Sequence, residues 1–200
     1  MARRGSYSKG VAKREEILEA APAIVARVGY GRTTVRELAD AVGLSQTGLL
    51  HYFGSKEDLF TAILARRDAT DRLTFVPPAD PAPDIPSSLM QVLRHNAEVP
   101  GLVELYTRFA GEAARPEHRA HTYFRDRYQD IRRLAADAVA DLQRDGRLPA
   151  HLDPQRFAVL TVALMDGLQL QWLYDPEIDM ADHVAYLWEL LSAPTPPSAG

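Results

Sequence analysis

Thr33-Thr-Val-Arg-Glu-Leu-Ala-Asp-Ala-Val-Gly-Leu-Ser-Gln-Thr-Gly-Leu-Leu-His-Tyr-Phe53 is the stretch that decides the fold, because it has the pattern of two short helices joined by a tight turn. Thr34 and Glu37 form a capping box, in which the hydroxyl and the carboxylate satisfy backbone amides at a helix start. Gly43 supplies the positive φ that ends a helix at no steric cost, and Ser45 caps the start of a second helix. The stretch therefore predicts a helix-turn-helix.

The second helix of this motif has an apolar side and a polar side. Leu49 and Leu50 can pack back on the first helix, while small and polar residues face outward, namely Gln46, Thr47, Gly48 and His51. Gly54 closes the helix, and a Ser55 to Asp58 capping box starts another helix with Leu59, Phe60, Ile63 and Leu64 on one face. A helix-turn-helix can place its second helix in the major groove of DNA, although the same geometry also occurs in helical cores that bind no DNA.

Basic residues are concentrated ahead of this motif and within it. The chain of 200 residues has a net charge of -4, yet residues 1–60 hold 9 Lys/Arg against 7 Asp/Glu, a net charge of +2. The other residues hold 14 Lys/Arg and 20 Asp/Glu, a net charge of -6. An acidic body disfavours non-specific binding along DNA. The affinity for DNA then comes from the basic head and depends on salt. We expect residues 1–14 to form a basic arm that suits phosphates, through Arg3, Arg4, Lys9, Lys13 and Arg14.

At these residues the chain resembles the TetR family of bacterial transcriptional regulators. The resemblance rests on Ile-Leu-Glu-Ala-Ala at 17–21, on Gly29-Tyr30 before the motif, on residues 38–45, and on His-Tyr-Phe-Gly-Ser-Lys-Glu-Asp-Leu at 51–59. It covers residues 10–65 well and the rest only as a helical pattern. It implies an all-α fold of about nine helices, in which an N-terminal three-helix DNA-binding head is joined to a helical ligand-binding and dimerisation domain.

The resemblance also implies which residues meet DNA. Residues near the start of the second helix would lie against base edges, and flanking hydroxyl, amide and ammonium donors would hold phosphates. Gln46 is the best candidate for direct readout, because a carboxamide pairs bidentately with adenine in the major groove. The full set of implied positions is Thr33, Thr34, Ser45, Gln46, Thr47, Gly48, His51, Tyr52 and Lys56.

The chain departs from the family pattern in two respects. The family commonly has a glycine and then a small polar residue where this chain has Thr47-Gly48, and an aromatic residue where it has Leu50. We expect Gly48 to allow close backbone approach. We expect Leu50 to remove one ring that contacts phosphate and to add packing instead. The operator sequence of a relative is therefore not transferable to this chain.

Proline and glycine positions predict the domain organisation. We expect a DNA-binding domain at 1–55, a connecting helix at 56–76, a stiff Pro-rich linker at 77–86, a regulatory and dimerisation domain at 87–194, and a disordered tail at 195–200. Pro86 and Pro100 each suit the first position of a helix, and a long helix is expected over about 116–145. Pro22 should kink or split the first helix, because it removes one amide and its ring clashes with the Leu18 carbonyl.

The last two predicted helices, at about 153–174 and 180–192, are apolar on more than one side. Such helices need cover from their own domain and from a partner, which predicts a two-fold dimer. The family supports this, since its members pair through these helices into a four-helix bundle, where Gly167 would permit close approach. The expected interface consists of Phe157, Leu160, Leu164, Gly167, Leu168, Trp172, Val184, Leu187, Trp188 and Leu191.

The family usually encloses a small-molecule pocket in its regulatory domain, and ligand binding there changes the separation of the heads. In this chain, aromatic residues would give bulk, and asparagine, glutamine and tyrosine would give polar contacts to an apolar or aromatic effector. A filled core is an equally good interpretation of the same residues. The candidates are Leu93, Asn96, Leu105, Tyr106, Phe109, Tyr123, Phe124, Tyr128, Met165 and Gln169.

Other function classes have less support. His118 and His121 are spaced to share a metal, but no third ligand is fixed by spacing, so surface histidines are the better interpretation. Asp166 lacks a nucleophile or phosphate loop, and we expect neither an enzyme nor a cofactor. A DNA-binding protein whose body receives a protein partner, and a helical dimer that ignores DNA, both stay open.

Composition predicts a cytoplasmic protein. There is no cysteine, and 46% hydrophobic with 25% charged residues is ordinary for a globular chain. We expect no apolar run that approaches the roughly 20 residues needed to span a bilayer. The N-terminus lacks the apolar core of a signal peptide.

Overall fold

The structure is a computed structural model that describes residues 3–28, 35–76 and 84–192, with side chains described for 10–27, 35–76 and 84–191. Within these ranges it is all-α with an N-terminal helix-turn-helix, as predicted. The nine helices of the described residues are α1 (Arg3–Val28), α2 (Val35–Ala41), α3 (Gln46–Phe53), α4 (Lys56–Phe75), α5 (Ile85–Glu98), α6 (Pro100–Glu112), α7 (His121–Arg144), α8 (Pro154–Tyr174) and α9 (Met180–Ser192).

The chain divides into two compact units. Unit 1 comprises Met1–Thr74 and Asn96–Phe124, and unit 2 comprises Phe75–His95 and Arg125–Gly200. Part of the segment that the sequence assigns to the regulatory domain thus groups with the helix-turn-helix, because α6 packs on α1. The expected tail at 195–200 lies outside the described residues.

α1 begins earlier than expected and is not split at Pro22. Residues 3–14, predicted as an arm ahead of the first helix, form its first turns. Pro22 lies inside the helix and lacks the amide that would donate to the Leu18 carbonyl. The helix continues because apolar side chains on both sides of Pro22 anchor it in the core of unit 1, namely Ile17, Leu18, Ala21, Ile24 and Val25.

The core of unit 1 holds the helix-turn-helix against α1 and α4. The Phe60 and Phe109 rings meet edge to face at 6.2 Å between centroids. Burial of a side chain of this size contributes about 1.5–3 kcal/mol, so the shared core fixes how α3 is presented. The fully buried side chains of this core include Ile17, Val25, Leu38, Leu49, Leu59, Phe60, Ile63 and Phe109.

α6 approaches α1 so closely that one position must be glycine. A Cβ atom on Gly101 would lie 2.0 Å from the Val25 carbonyl oxygen and 2.9 Å from the Ala26 carbonyl oxygen. Both oxygens belong to the backbone of α1 and cannot rotate away. Gly101 therefore sets the distance between α1 and α6.

Short polar caps fix several helix starts, and one of them moves a predicted boundary. The Asp84 carboxylate accepts from the Ser87 amide at 3.1 Å and from the Ser87 hydroxyl at 2.6 Å. The Ser87 hydroxyl and the Arg147 guanidinium lower the pKa of Asp84, although partial burial opposes the shift. α5 therefore includes Ile85 and Pro86, which we had placed in the linker, and linker residues 77–83 lie outside the described residues.

α7 begins at His121 rather than near residue 116, because residues 114–120 form turns. α8 follows Asp153, whose carboxylate accepts from the Gln155 amide at 2.9 Å and the Arg156 amide at 3.0 Å. α9 packs on α8 in the core of unit 2, where the Phe157 and Trp188 rings meet at 5.3 Å.

α8 corrects the expectation about membrane spans. Among the helices that the structure describes, α8 alone is long and apolar enough to cross a bilayer by length and composition. Its apolar residues divide between two sides of the helix, since Phe157, Leu168 and Trp172 are buried in unit 2 while Leu160 and Leu170 are exposed. The apolar character therefore reflects a helix with one side in the core and another apolar side exposed.

We expect Gly101→Ala to destabilise the protein by about 1–3 kcal/mol, because the added methyl must displace backbone. The matched control is Gly111→Ala in the same helix, where a Cβ would meet nothing within 4 Å. Urea unfolding of both variants measures the difference. Equal free energies of unfolding for the two variants would contradict the close approach of α6 to α1.

Candidate nucleic-acid interface

The recognition helix α3 is short, and both of its ends are capped. Ser45 has extended backbone, with φ -74° and ψ 159°, and its Oγ accepts from the Gly48 amide at 3.0 Å. At the other end, Gly54 adopts φ 88° and its amide donates to the Leu50 carbonyl at 2.7 Å. A helix of two turns has little cooperativity of its own, so these caps hold its register.

The turn between α2 and α3 is braced from α1. Gly43 has φ 68°, and the Leu44 amide donates to the Ala39 carbonyl at 2.8 Å. Lys13 donates to the Val42 carbonyl oxygen at 3.3 Å and pairs with Glu16 at 2.7 Å. Lys13, which the sequence assigns to a phosphate-binding arm, thus makes a hydrogen bond at the C-terminal end of α2.

Arg14 has a similar local role. Its guanidinium lies 5.0 Å from the centroid of the Phe53 ring, over the last residue of α3. A cation over an aromatic face is attracted by the ring quadrupole. Arg3, Arg4 and Lys9, the other basic residues of the predicted arm, have side chains outside the described residues.

The predicted base-reading residues share the outward side of α3. Gln46, Thr47 and His51 are exposed, and Leu49 and Phe53 are buried on the opposite side. Thr47 and His51 are four positions apart and are therefore neighbours on this side, and Gln46 precedes them at the start of the helix.

Leu50 lies at the border between this outward surface and the buried side of α3, and its packing on α2 stays a prediction. Leu49 is fully buried, whereas Leu50 is only partly buried. Leu50 follows Gln46 by four residues and Thr47 by three, so helical geometry makes it a neighbour of both. The pair Leu49-Leu50 looks equivalent in sequence, but 100° of helical rotation separates the two side chains.

The remaining predicted DNA contacts flank this surface. Tyr52 is partly buried, with its ring at 6.1 Å from that of His51, edge to face. Lys56, the first residue of α4, is exposed and has its ammonium 5.3 Å from the Phe60 ring centroid. Thr33 and Thr34, and with them the predicted capping box of α2, lie outside the described residues.

Gly48 also supports the cap of α3. A Cβ at this position would lie 3.2 Å from Ser45 Oγ, which is closer than most such contacts. The glycine thus avoids a tight contact beside the hydrogen bond that starts the helix. The close backbone approach expected at Gly48 stays a prediction.

The predicted pocket residues are divided between the two units. Leu93, Tyr128, Met165 and Gln169 belong to unit 2, and the other six belong to unit 1. Within unit 1 the aromatic candidates pack on one another, with ring centroids 5.1–5.9 Å apart, in a cluster of Tyr106, Phe109, Tyr123 and Phe124. Phe109 is 1% exposed and Leu105 is fully buried, so these two side chains fill core.

The polar candidates have partners that the sequence analysis did not identify. Arg67 donates to the Asn96 side chain, and the Tyr123 hydroxyl donates to Asp68 at 2.6 Å. In unit 2 the Tyr128 hydroxyl donates to Asp166 at 2.6 Å, which gives Asp166 a structural role. No sequence signal marks these pairs, because each joins residues at least 29 positions apart.

A cavity in unit 2 involves none of the predicted pocket residues. Its volume is about 260 Å³, and it lies among α5, the end of α7 and α9. The residues that line it are Pro86, Met90, Leu142, Arg147, Leu148, Ala185, Trp188 and Glu189.

His118 and His121 stabilise the turn before α7. His118 Nδ1 lies 3.2 Å from the Ala120 amide, which donates to it, and its ring meets Phe109 at 5.2 Å. His121 Nδ1 lies 2.9 Å from the Ala113 carbonyl oxygen. The two histidines, whose spacing resembles that of a metal-binding pair, thus make local hydrogen bonds.

The predicted dimer residues fall into two groups. Phe157, Leu168, Trp172, Val184 and Trp188 are at most 9% exposed inside unit 2, so they have almost no surface left to lose to a partner. Leu160 is 64% exposed, and Leu164, Gly167, Leu187 and Leu191 are partly buried. Large exposed apolar residues that we did not predict lie beside these, namely Val159, Leu170, Tyr174, Tyr186 and Leu190.

Family models match two segments of the chain. The model of bacterial regulatory proteins of the tetR family matches residues 17–63, and the model of the BetI-type transcriptional repressor C-terminal domain matches residues 87–191. The first segment contains the whole helix-turn-helix, and the second contains α6 to α8 and most of α5 and α9.

Relatives and a solved structure agree with these matches. The transcriptional repressor AcnR of Corynebacterium diphtheriae is 34% identical over 163 residues, which cover 78% of each chain. AcnR of Corynebacterium efficiens is 51% identical, but over 61 residues that span 30% of this chain and 32% of that protein. The crystal structure of FadR from Thermus thermophilus, a TetR-family repressor in complex with lauroyl-CoA, is similar with a TM-score of 0.63 at 22% identity, covering 94% of this chain and 100% of that chain.

The capped recognition helix, the all-α architecture and these matches agree with one another. The chain belongs to the TetR family of bacterial regulatory proteins, which are DNA-binding regulators of transcription.

Proposed function

We propose that the protein is a dimeric repressor that binds a palindromic operator through α3 and leaves it when a small-molecule effector binds the regulatory domain. The observation that carries the DNA-binding part is the outward surface of α3, where Gln46, Thr47 and His51 are exposed on a helix capped at both ends. Polar side chains at the start of a recognition helix reach base edges in the major groove.

The dimer part rests on a row of small and apolar residues on α8. Leu160, Ala163, Gly167, Leu170 and Tyr174 follow one another at spacings of three and four, which is the repeat of a helix seam that packs on another helix. We call these residues the α8 row. Leu160, Ala163, Leu170 and Tyr174 are exposed, and a Cβ on Gly167 would meet nothing within 4 Å. A second copy of the row would cover this surface.

α9 adds two residues to the same proposed interface. Tyr186 is 60% exposed and Leu190 is 58% exposed, four residues apart on one side of the helix. Their counterparts on the inner side, Val184 and Trp188, are buried in unit 2. A dimer would hold two heads about 34 Å apart, the spacing of successive major grooves on one side of DNA.

The effector part rests on the family and on the chemistry of this chain. FadR from Thermus thermophilus was crystallised with lauroyl-CoA, a ligand with a long apolar chain. The aromatic cluster of unit 1 is packed, so an effector that enters there must open it and thereby favour a different conformation. Such a ligand releases DNA only to the extent that it binds that conformation more tightly. The protein would act in the cytoplasm. The alternative is that a protein partner, rather than a small-molecule effector, regulates it.

Selection of random duplexes by the purified protein should yield a palindromic site with half-sites about 10–10.5 base pairs apart, or a multiple of that spacing. Gln46→Ala should relax the preference at one symmetric base pair and weaken binding by about 1–3 kcal/mol. Gln155→Ala, at an exposed glutamine of α8, is the matched control and should leave both unchanged. An unchanged site for Gln46→Ala would refute its role in base readout.

Leu160→Glu should convert the dimer to a folded monomer, because it places a charge in the α8 row. Leu134→Glu is the control, since Leu134 is also an exposed leucine, 40% exposed, but lies on α7. Light scattering gives the molar mass, and circular dichroism confirms the helical fold. A dimeric Leu160→Glu protein, or a monomer formed by both variants, would contradict the proposed interface.

An effector should raise the unfolding temperature of the protein and release it from the selected duplex at the same concentrations, because it stabilises one conformation by mass action. A panel of acyl-CoA thioesters, aromatic acids and polycyclic aromatics tests this by thermal shift and fluorescence anisotropy. Compounds that shift the melting temperature without releasing DNA, or no active compound in the whole panel, would favour regulation by a protein partner.

A further inference from the structure

Leu50 lies at the edge of a surface of α3 that is otherwise polar. It is partly buried, while its helical neighbours Gln46 and Thr47, and His51 next in the chain, are exposed. Leu49 and Phe53 already fill the space between α3 and the core of unit 1, at 0% and 9% exposure. Packing of the head therefore leaves part of the Leu50 side chain outside the core.

The backbone that carries this side chain is held at both ends of α3. The Leu50 carbonyl accepts from the Gly54 amide at 2.7 Å, and the Ser45 cap holds the opposite end of α3. A branched aliphatic side chain on a fixed helix presents its methyl groups to whatever the helix docks against. If α3 enters the major groove, the exposed part of Leu50 lies beside Gln46 and Thr47, which would face the bases.

A leucine side chain has no hydrogen-bonding group, so it can distinguish bases only by the apolar surface that it buries against them. The edges of guanine, cytosine and adenine in the major groove carry donors and acceptors that would lose water against leucine without compensation. Thymine alone presents an apolar group there, the C5-methyl. Contact between Leu50 and that methyl buries apolar surface on both partners.

We propose that Leu50 is a specificity-determining residue that reads the C5-methyl of a thymine in each half-site. The proposal rests on the proposed function, because it requires that α3 lies in the major groove. Gln46, four residues earlier on the same side of the helix, can accept and donate to an adenine, so the two side chains together select an A/T-containing stretch.

Uracil is the probe for this contact, because it keeps every hydrogen-bonding group of thymine and lacks only the methyl. The duplex recovered by random selection is prepared with each thymine replaced in turn by uracil, symmetrically in both half-sites. At one position we expect the native protein to bind roughly fourfold more weakly for each half-site, and about fifteenfold more weakly for the palindrome, from the loss of one buried methyl.

Three variants test whether Leu50 causes the weaker binding to the uracil duplex. Leu50→Ala should bind the thymine duplex more weakly and be insensitive to uracil at that position, while Leu50→Met, which keeps apolar contact, should remain sensitive. Thr47→Ser is the matched control, since it removes the other methyl on this surface and should keep the sensitivity. Circular dichroism of each variant confirms the helical fold.

Several results would overturn the proposal. They are a selected half-site without thymine, tight binding that no uracil replacement weakens, a Leu50→Ala protein that stays sensitive to uracil, or a sensitivity that disappears in Thr47→Ser. A protein that selects no duplex at all would instead overturn the proposed function, so the two failures are distinguishable.

Discussion

The hydrogen bond from the Gly48 amide to Ser45 Oγ fixes the start of α3, the helix that carries the proposed DNA-reading residues. α3 has eight residues, too few to be a stable helix alone, and its start is fixed by this cap. A Cβ at position 48 would lie 3.2 Å from Ser45 Oγ, a tighter contact than most, which the glycine avoids. With the start of the helix fixed, helical rotation sets the directions of Gln46, Thr47 and His51.

The helix-turn-helix is in turn held by α1. Lys13 closes the end of α2, Arg14 covers Phe53, and Gly101 lets α6 approach the last turns of α1. A movement of α6 would therefore displace α1 directly, because at Gly101 the two backbones are in contact and no side chain separates them. This arrangement offers a physical route by which a ligand in the regulatory domain could alter the head.

The sequence predicted the elements that depend on local signals and missed those that depend on distant ones. Gly43, Ser45, Gly54 and Pro100 mark helix ends through their own backbone chemistry, and α9 was predicted with its bounds. The partners of Lys13, Asp68 and Asp166 lie 29, 55 and 38 positions away, beyond any local pattern. The exposure of Leu170 and Tyr174 on α8 was missed for a related reason, since apolar character alone does not say which side of a helix is buried.

The central claim is that two capped recognition helices, one from each protomer, enter successive major grooves. Hydroxyl-radical and methylation footprinting of the native protein on its selected duplex tests this most directly. The account predicts two symmetric protected patches on one side of the DNA, about 34 Å apart, each with protected positions in the major groove. A single protected patch at saturation, or protection confined to the minor groove, would contradict it.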